Sequence, residues 1–270
     1  MSRRWQQSGR YELKYVIPAG WRSTVVDLIR PFANPDPKAG DLGRGRKGYQ
    51  VNSLYFDTAR LSDYFERLDQ AKVRDRLRVR TYDGPEARRP VFLENKRKCG
   101  RMVIKHRSVL CDSRQWLECT GPQPWFGLDW SADGARDYAA SIFRQLVEGG
   151  RRRPVSTVRY EREAFVDRDP GQGRVRLTLD HDVRATAATT AHDLFASSEV
   201  RLIPQGWTVM ELKFERYAPA WMHMLRRELA IHAVPVSKFG LSVARCLRGA
   251  YPRELRALTP RPLLEREYAA

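Results

Sequence analysis

Arginine occupies every second position in one short segment of the chain, which makes this segment the first candidate for chemistry. The segment is VRDRLRVRTY, and its arginines are Arg74, Arg76, Arg78 and Arg80. Because a β-strand sends alternate side chains to opposite faces, all of these guanidinium groups are predicted to line one face. Neighbouring charges in such a row lie about 7 Å apart and repel each other by roughly 2 kcal/mol per pair at an effective dielectric constant near 20. A row shielded from water therefore requires anions or nearby carboxylates.

The same alternation of charged and apolar residues recurs in other segments. The charged positions are Arg10, Glu12 and Lys14; Glu94, Lys96 and Lys98; Arg174, Arg176 and Asp180; and Glu211, Lys213 and Glu215. Each run predicts a strand with one charged face. These faces could point to water, as one face of an ordinary antiparallel sheet does. A closed barrel with charges inside and helices outside explains all the runs together, so we expect an α+β fold built on an antiparallel β-barrel.

The chain carries a strong excess of positive charge. Its 270 residues include 49 Lys and Arg against 32 Asp and Glu, which gives a formal net charge of +17. This balance indicates an anionic partner, such as polyphosphate, a nucleotide, nucleic acid or an acidic membrane surface. The charge alone does not choose among these partners.

The cysteines and histidines do not form a recognisable metal-binding pattern. The four cysteines include no CxxC pair and show no zinc-type spacing with the five histidines. This usage favours a reducing, cytoplasmic environment. The N-terminal segment has no apolar signal sequence, and no stretch approaches the roughly 18 apolar residues of a membrane span. We therefore expect a soluble, cytoplasmic protein.

Hydrophobic periodicity predicts the order of the elements. Helical spacing predicts helices at about 21–31, at about 135–147 and from about residue 219. After a first strand near the N-terminus, alternation predicts strands at about 49–57, 73–82, 90–98, 101–109, 154–167, 174–183 and 207–215. The core pattern ends near residue 248, so we expect one domain over residues 1–248 and a C-terminal tail over residues 249–270.

Several segments, taken in order, resemble one protein family. They are RYELKYVIP, VNSLYFDT, RLRVRTY, VFLENKRK, VRYEREAF, VRLTLDHDV, VMELKF and VSKFG. This set resembles the VTC (vacuolar transporter chaperone) domain, which is the polyphosphate polymerase module of the CYTH and triphosphate tunnel metalloenzyme superfamily. The resemblance covers about residues 9–246. It implies an antiparallel barrel whose tunnel is lined by basic residues and glutamates.

The resemblance also implies roles for particular residues. The implied phosphate ligands are Lys14, Arg78, Arg80, Lys96, Arg162, Arg176, Lys213 and Lys238. Glu211 resembles the carboxylate that holds a divalent metal ion, Mn²⁺ or Mg²⁺, and it is expected to be catalytic together with Arg78 and Arg80. Phosphoryl transfer needs in-line positioning and neutralisation of the phosphate oxygens, which arginines and a metal ion supply. One protein carboxylate suffices where substrate oxygens fill most of the metal's coordination shell.

The chain departs from the wider superfamily in its first strand. That superfamily begins with ExExK, whereas here the corresponding positions are Arg10, Glu12 and Lys14. In this respect the chain resembles the polymerase branch more than the hydrolytic branches. Eukaryotic members also carry an SPX domain and membrane helices, which are not found in this sequence, so a separate membrane protein is a candidate partner.

The main candidates also have structural alternatives. Arg78 and Arg80 could pair with Glu94 or Glu163 in a ladder of charges rather than bind phosphate. Glu211 could serve only to neutralise neighbouring cations.

Other residues also have structural alternatives to a functional role. Lys238 lies outside a clear strand and could be an ordinary surface lysine. Glu12 is expected to be a structural partner of cations. Tyr55 and Asp57 could simply pack and cap the turn or helix that follows them.

Three functional hypotheses follow. The first is a metal-dependent polyphosphate polymerase that transfers the terminal phosphoryl group of ATP to a growing polyphosphate chain in a basic tunnel. The second is a triphosphatase acting on inorganic, nucleoside or RNA triphosphate, and the third is a nonenzymatic polyanion-binding module. Nucleic acid is the less favoured ligand, because Tyr11, Tyr15, Leu13 and the aliphatic residues alternate to the face opposite the cations, whereas base stacking needs aromatic residues interleaved with them.

Overall fold

One antiparallel sheet carries most of the described chain. The computed structural model describes residues 11–99, 102–120, 137–169, 175–215, 217–234 and 236–248. Within these ranges the sheet has twelve strands. They are β1 (Tyr11–Pro18), β2 (Ala33–Pro35), β3 (Gly40–Asp41), β4 (Lys47–Asp57), β5 (Val73–Arg74), β6 (Leu77–Tyr82), β7 (Pro90–Cys99), β8 (Met102–Asp112), β9 (Arg153–Asp167), β10 (Arg176–Ala187), β11 (Val200–Arg201) and β12 (Trp207–Phe214).

Helices lie between the strands and after the last one. The α-helices of the described residues are α1 (Arg22–Ile29), α2 (Ser62–Leu68), α3 (Ser113–Cys119), α4 (Tyr138–Glu148), α5 (Ala220–Glu228) and α6 (Lys238–Ser242). Short 3-10 helices occupy Ala19–Trp21, Pro85–Ala87 and Ala191–Phe195, and a π-helical turn, Val243–Leu247, follows α6. None of the helices in the described ranges combines the length and apolar composition that a membrane span requires.

The strand order runs β1-β12-β10-β9-β4-β6-β7-β5, and β8 pairs with β7. Every ladder along this path is antiparallel, and its register carries one face continuously from strand to strand. Tyr49 on β4 lies opposite Arg162 on β9, and Arg162 lies opposite Asp180 on β10. We call this side of the sheet the charged face, because it bears the alternating charged residues of the strands.

The opposite side of the sheet is apolar and is covered by helices. Helices α1 and α5 cover one half of it, where Val25, Ile29 and Leu225 pack among buried residues of β1, β10 and β12. Helices α3 and α4 cover the other half, where Trp116 and Phe143 are fully buried over β4, β6 and β7. Burying the apolar side in this way leaves the charged face to be enclosed by curvature of the sheet itself.

The two ends of the sheet approach each other through side chains. Strand β1 lies at one end of the strand order, and β7 lies near the other end. Nevertheless, Lys96 Nζ on β7 lies 2.8 Å from Glu12 Oε2 on β1. The sheet is therefore strongly curved around its charged face. Among the described residues the backbone ladders form an open path, so the predicted barrel is established here as a curved antiparallel sheet.

Helix α6 lies against the charged face and covers part of it. The Phe239 ring packs against Tyr55 of β4 with 5.3 Å between centroids. Ser242 Oγ lies 2.8 Å from Ser156 Oγ on β9. Leu241 and Val243 belong to an apolar cluster that fills this part of the concave side. This covering segment was not predicted, because α6 is too short to show helical periodicity.

The predicted elements are found, with local differences. β10 extends to Ala187, beyond its predicted end at 183. The prediction stopped too early because Asp182 has a φ of 44° and the register shifts between His181 and Arg184. Such a bulge interrupts the alternation from which strands are predicted.

Asp57 caps the N-terminus of α2, which was the structural alternative for this residue, since its carboxylate accepts hydrogen bonds from the backbone of Asp63 and Tyr64. The predictions for Arg10, Arg174 and the tail lie outside the described residues.

Glu163 does not take the role that the sequence suggested as an alternative. It was a candidate partner of Arg78 and Arg80, and this is wrong because Glu163 projects from the opposite side of β9. There it accepts hydrogen bonds from Arg22 of α1, from Nη2 to Oε2 at 2.6 Å and from Nε to Oε1 at 2.8 Å and to Oε2 at 3.0 Å. His181 Nε2 lies 2.8 Å from the same carboxylate. This buried network ties α1 to the sheet.

We expect Glu163→Gln to destabilise the protein by about 3 kcal/mol at neutral pH. Burial raises the pKa of Glu163, but the hydrogen bonds from His181 and Arg22 outweigh it and lower the pKa to about 2. The carboxylate therefore adds stability above the pKa of the unfolded chain, and this contribution disappears as the pH falls toward the folded pKa. Urea unfolding of both proteins between about pH 7 and pH 3 measures the effect. The difference should shrink at low pH, and a constant difference would contradict the assignment.

Glu161→Gln is the matched control for this experiment. Glu161 lies two residues away on the same side of β9 but is about two-fifths exposed and pairs with Arg46 at the surface. Its replacement should cost less than about 1 kcal/mol.

Candidate active site

The predicted site residues converge on the charged face. They come from separate elements: Lys14 from β1, Arg78 and Arg80 from β6, Lys96 from β7, Arg162 from β9, Arg176 from β10, Glu211 and Lys213 from β12, and Lys238 from α6. The ladder registers place the strand residues on the same side of the sheet. Their immediate surroundings differ, and three groups can be distinguished: a centre around Glu211, an arginine group around Glu94, and a rim.

Glu211 is the centre of the first group. Its side chain is 5% exposed, and Lys213, its neighbour along the face, contacts Oε2. Arg162 Nη2 lies 3.3 Å from the same oxygen, and Lys238 Nζ lies 2.9 Å from Oε1. Lys14 Nζ is 3.9 Å from Oε1. Burial raises the pKa of Glu211, but these four cations outweigh it and hold the pKa well below its usual range.

Lys238 is a buried member of this centre and not a surface lysine. It is the first residue of α6 and is 7% exposed. Its ammonium contacts both Glu211 and Asp180. Burial lowers the pKa of Lys238, but Asp180 and Glu211 outweigh it and raise the pKa above its usual value. The charge of Lys238 is thus secured by two carboxylates from neighbouring strands.

Asp180 was not predicted as a site residue, although it is fully buried there. Arg162 donates to it twice, from Nε to Oδ1 and from Nη2 to Oδ2, both at 2.6 Å. This two-pronged pair fixes the Arg162 guanidinium in the middle of the face. The signal for Asp180 was present in the sequence, because it alternates with Arg176 and Thr178 on one side of β10.

The second group holds Arg78 and Arg80 on β6. Arg78 Nε lies 2.6 Å from Glu94 Oε2, so the ladder pairing that we considered for Arg78 is present. Arg80 is 6% exposed and donates hydrogen bonds to hydroxyl groups: Nε lies 2.9 Å from Ser53 Oγ, and Nη2 lies 3.1 Å from Tyr160 OH. Arg80 therefore keeps its full positive charge without a carboxylate in contact among the described residues.

Two cations of β8 were missed by the sequence analysis. Lys105 Nζ lies 2.6 Å from Glu94 Oε1, and Arg107 Nε lies 3.1 Å from the same atom. Burial raises the pKa of Glu94, but Arg78, Arg80 and these two residues outweigh it and hold the pKa well below its usual range. Their alternation was visible in the sequence, yet nothing there showed that β8 places them beside Glu94.

The third group lies at the rim of the face. Arg176 Nη2 lies 2.6 Å from Asp36 Oδ2 and also donates to Tyr49 OH. Lys96 is about two-fifths exposed and pairs with Glu12. Glu12 is also within 3.6 Å of Lys213 Nζ, so it links the rim to the centre around Glu211.

The charged face is suited to binding an anion with several linked charges. Its cations outnumber its carboxylates, and most of them are partly or fully buried. Anionic oxygens placed among them would accept charge-assisted hydrogen bonds in surroundings that screen charge poorly. A compact monovalent anion would meet only a few of these groups, whereas a chain of phosphates would meet several at once.

The donors near Glu211 fit one divalent metal ion of the Mg²⁺ or Mn²⁺ type. The available carboxylates, Glu211 and Glu12, are hard oxygen donors that share the cations Lys14 and Lys213. The described residues contain no group of three or more His, Cys, Asp or Glu that could surround a metal ion by themselves. An ion held by Glu211 would therefore need most of its ligands from phosphate oxygens and water.

The fold and this site define an antiparallel-sheet protein with a basic concave face. The family model of the VTC domain matches residues 9–247, and the chain belongs to that family. The family resemblance of the sequence motifs is thus confirmed over nearly the whole described chain. No curated protein sequence shows significant similarity to the chain.

Two solved structures are similar to the chain at low sequence identity. One is a candidate adenylate cyclase from Vibrio parahaemolyticus, with 9% identity and a TM-score of 0.44; the match covers 87% of this chain and 98% of that one. The other is a candidate adenylyl cyclase from Hippeastrum in which triphosphatase activity is dominant. It has 19% identity and a TM-score of 0.47, and the match covers 90% of this chain and 97% of that one.

Tyr55 should titrate within the arginine group near pH 8. Burial raises its pKa, but Arg78, Arg80 and Arg76 outweigh it and lower the pKa to about 8, and Arg78 Nη1 lies 3.4 Å from its hydroxyl. The phenolate formed at higher pH would offset arginine charge that an anion needs. We therefore expect the dissociation constant of tripolyphosphate to rise by up to about tenfold per pH unit above this pKa.

Tyrosinate absorbance measures this titration directly. The wild-type protein should show a transition near pH 8 that tripolyphosphate shifts upward and that Tyr55→Phe removes. Phe retains the packing of the ring, so folding should be maintained. An identical absorbance titration in the two proteins would contradict the prediction.

Proposed function

We propose that this protein is a metal-dependent phosphotransferase that extends a polyphosphate chain with the terminal phosphoryl group of ATP. The observation that carries the proposal is the convergence of Lys14, Arg162, Lys213 and Lys238 on the single buried carboxylate of Glu211. Asp180 and Glu12 share these cations, and four cations against three carboxylates still leave positive charge for the oxygens of a transferring phosphoryl group. Such positioning and neutralisation are the main requirements of phosphoryl transfer.

The reaction needs little covalent participation by the protein. An ionised oxygen at the end of the acceptor chain bonds to the γ-phosphorus of ATP, the bond from that phosphorus to the β,γ-bridging oxygen breaks, and ADP leaves with the electron pair. No proton has to be removed from the acceptor. The cations around Glu211 would hold the reacting phosphates in line, while Arg78 and Arg80 would bind oxygens of the donor.

Glu211 would hold the divalent ion, Mn²⁺ or Mg²⁺. When bound, this ion would neutralise charge on the donor phosphate oxygens. Phosphate oxygens would compete with Glu211 for Lys213 and Lys238, which contact the carboxylate now, so substrate binding would leave an oxygen of Glu211 available to the ion.

The lowered pKa values of the carboxylates favour phosphate over water as the acceptor. The pKa values of Glu12, Glu94, Asp180 and Glu211 are all lowered, because cations outweigh the effect of burial at each one. A general base works best with a pKa near the working pH, so these carboxylates are poor bases for activating water. An ionised phosphate acceptor needs no such base.

Triphosphate hydrolysis is the second candidate, and the position of α6 favours it. Packing of Phe239 on Tyr55 and of Ser242 on Ser156 covers one part of the concave side. If the sheet closes into a tunnel, this cover would leave more room for a short triphosphate than for a long product. In this reading a cytoplasmic triphosphate binds the same cations, and water takes the place of the acceptor chain.

Incubation of the purified protein with ATP and Mn²⁺ separates these functions. We expect long-chain polyphosphate and ADP as products, resolved by gel electrophoresis and by a phosphate assay. Orthophosphate as the sole new phosphate product would support the triphosphatase. Binding of polyphosphate in excess EDTA, together with no turnover of ATP, would reject both enzymes in favour of a polyanion-binding module.

Glu211→Gln should reduce metal-dependent turnover by at least about a hundredfold, since it removes the proposed metal-binding carboxylate with little change of shape. Glu148→Gln is the control, because Glu148 lies on the exposed side of α4 and pairs there with Arg144. Circular dichroism should show both variants folded. Full activity of Glu211→Gln would exclude the proposed role of Glu211.

A further inference from the structure

Along the hairpin that contains β6 and β7, the charges that face each other change from opposite in sign to like in sign. Arg78 lies opposite Glu94, and this rung pairs opposite charges. The next rung on the same face brings Arg76 opposite Lys96, with reciprocal backbone hydrogen bonds of 3.1 and 3.0 Å. The rung after that brings Arg74 of β5 opposite Lys98. The last two rungs therefore set like charges directly against each other, which destabilises a sheet.

The other face of the same hairpin does not show this conflict. Asp75 there lies 4.0 Å from Arg97 Nε, and Asn95 Nδ2 lies 3.1 Å from Asp75 Oδ1. The only acidic residue between Arg74 and Arg76 is thus directed away from them. On the charged face, Lys96 pairs with Glu12, whereas Arg74, Arg76 and Lys98 have no carboxylate partner among the described residues.

Among these residues, Arg76 has a side chain with an unsatisfied hydrogen-bond donor. Its Nε is buried without a hydrogen-bond partner. Its guanidinium carbon lies 5.2 Å from the centroid of the Phe239 ring, so the covering helix α6 positions it. Across the described ranges, no carboxylate lies within ion-pair distance of Arg74, Arg76 or Lys98. A partly buried guanidinium among other cations, with an unused donor, is prepared for an anion.

We propose that Arg76, Arg74 and Lys98 form a second anion site that binds the phosphates of a long polyphosphate chain beyond the part held near Glu211. The inference rests on the proposed function in taking linked phosphates as the ligand. Lys96 joins the two sites, since it lies opposite Arg76 and contacts Glu12 beside the centre. From there the rungs lead along the hairpin to its outer end, where Val73 is half-exposed. A triphosphate held at the centre would not reach these outer rungs, whereas a longer chain would.

The site gives a length-dependent prediction. Dissociation constants of tripolyphosphate and of long-chain polyphosphate are measured by calorimetry in EDTA, so that no turnover occurs. Arg76→Gln should weaken binding of the long chain about tenfold, which is the effect of losing one charge-assisted contact, and should leave tripolyphosphate unchanged. The double variant Arg74→Gln/Lys98→Gln, at less buried positions, should act in the same way. Each lost contact should lower the slope of log affinity against log salt concentration by about one.

Two further variants control for charge and folding. Arg97→Gln removes one positive charge from the same hairpin but on the opposite face, and it should leave both affinities unchanged. Arg76→Lys keeps the charge and should restore the salt dependence of long-chain binding.

The outcomes separate this site from the proposed enzyme activity. A loss confined to the long chain supports the second site even if the protein fails to convert ATP. Equal losses for both ligands would place Arg76 in the central site and overturn the proposal. The absence of any loss in Arg76→Gln and in the double variant, or an equal loss in Arg97→Gln, would overturn it as well.

Discussion

The structure depends on holding repelling cations close together around buried carboxylates. Two unit charges about 4 Å apart interact by roughly 4 kcal/mol at an effective dielectric constant of 20. Such repulsion among Lys213, Lys238 and Arg162 would exceed what packing could supply if Glu211 and Asp180 were not placed between them. The carboxylates do not cancel the charge completely. They organise it, and the surplus is what a polyanion would bind.

The two-sided strand pattern makes this arrangement compatible with folding. Each central strand buries its apolar residues under helices, as Leu177, Leu179 and Leu212 do beneath α1 and α5. The hydrophobic effect thus acts mainly on this side of the sheet, and the apolar cluster under α6 adds to it on the concave side. Stability comes mainly from that side, which leaves the other side free to carry side chains that oppose one another. The buried pair of Glu163 and Arg22 belongs to the stabilising side, and for that reason it contributes to folding rather than to the charged face.

Alternation in the sequence was enough to predict the strands and the face on which most site residues lie. The period of two assigns Arg78, Arg80, Arg162 and Lys213 to one side without any knowledge of tertiary structure. It could not predict which residues meet across the face. The contact between Lys96 and Glu12 depends on how far the sheet curves, and that curvature results from many small twists that no local pattern records.

The residues whose surroundings were not predicted share the same limitation. Lys238 resembled a surface lysine because its helix has only five residues, and its burial follows from the packing of Phe239 on Tyr55. Glu163 was a plausible partner for arginines by charge alone, but a shift of one residue along β9 separates it from Arg162 by the thickness of the sheet. Charge content can be read from the sequence, whereas the partner of each charge is a property of the assembled sheet.

The same reasoning bears on the choice between phosphate and water as acceptor. An attacking water must lose a proton and needs ordered polar partners, usually two to four of them. Around α6 the nearby hydroxyl groups of Ser156 and Ser242 already bond to each other, and apolar residues such as Val158 and Leu241 pack beside them. The carboxylates that could accept the proton are held ionised by cations. A phosphate acceptor brings its own negative charge and is attracted by the surplus of positive charge, whereas a neutral water gains no such attraction. This attraction supports the proposed transfer from one phosphate to another.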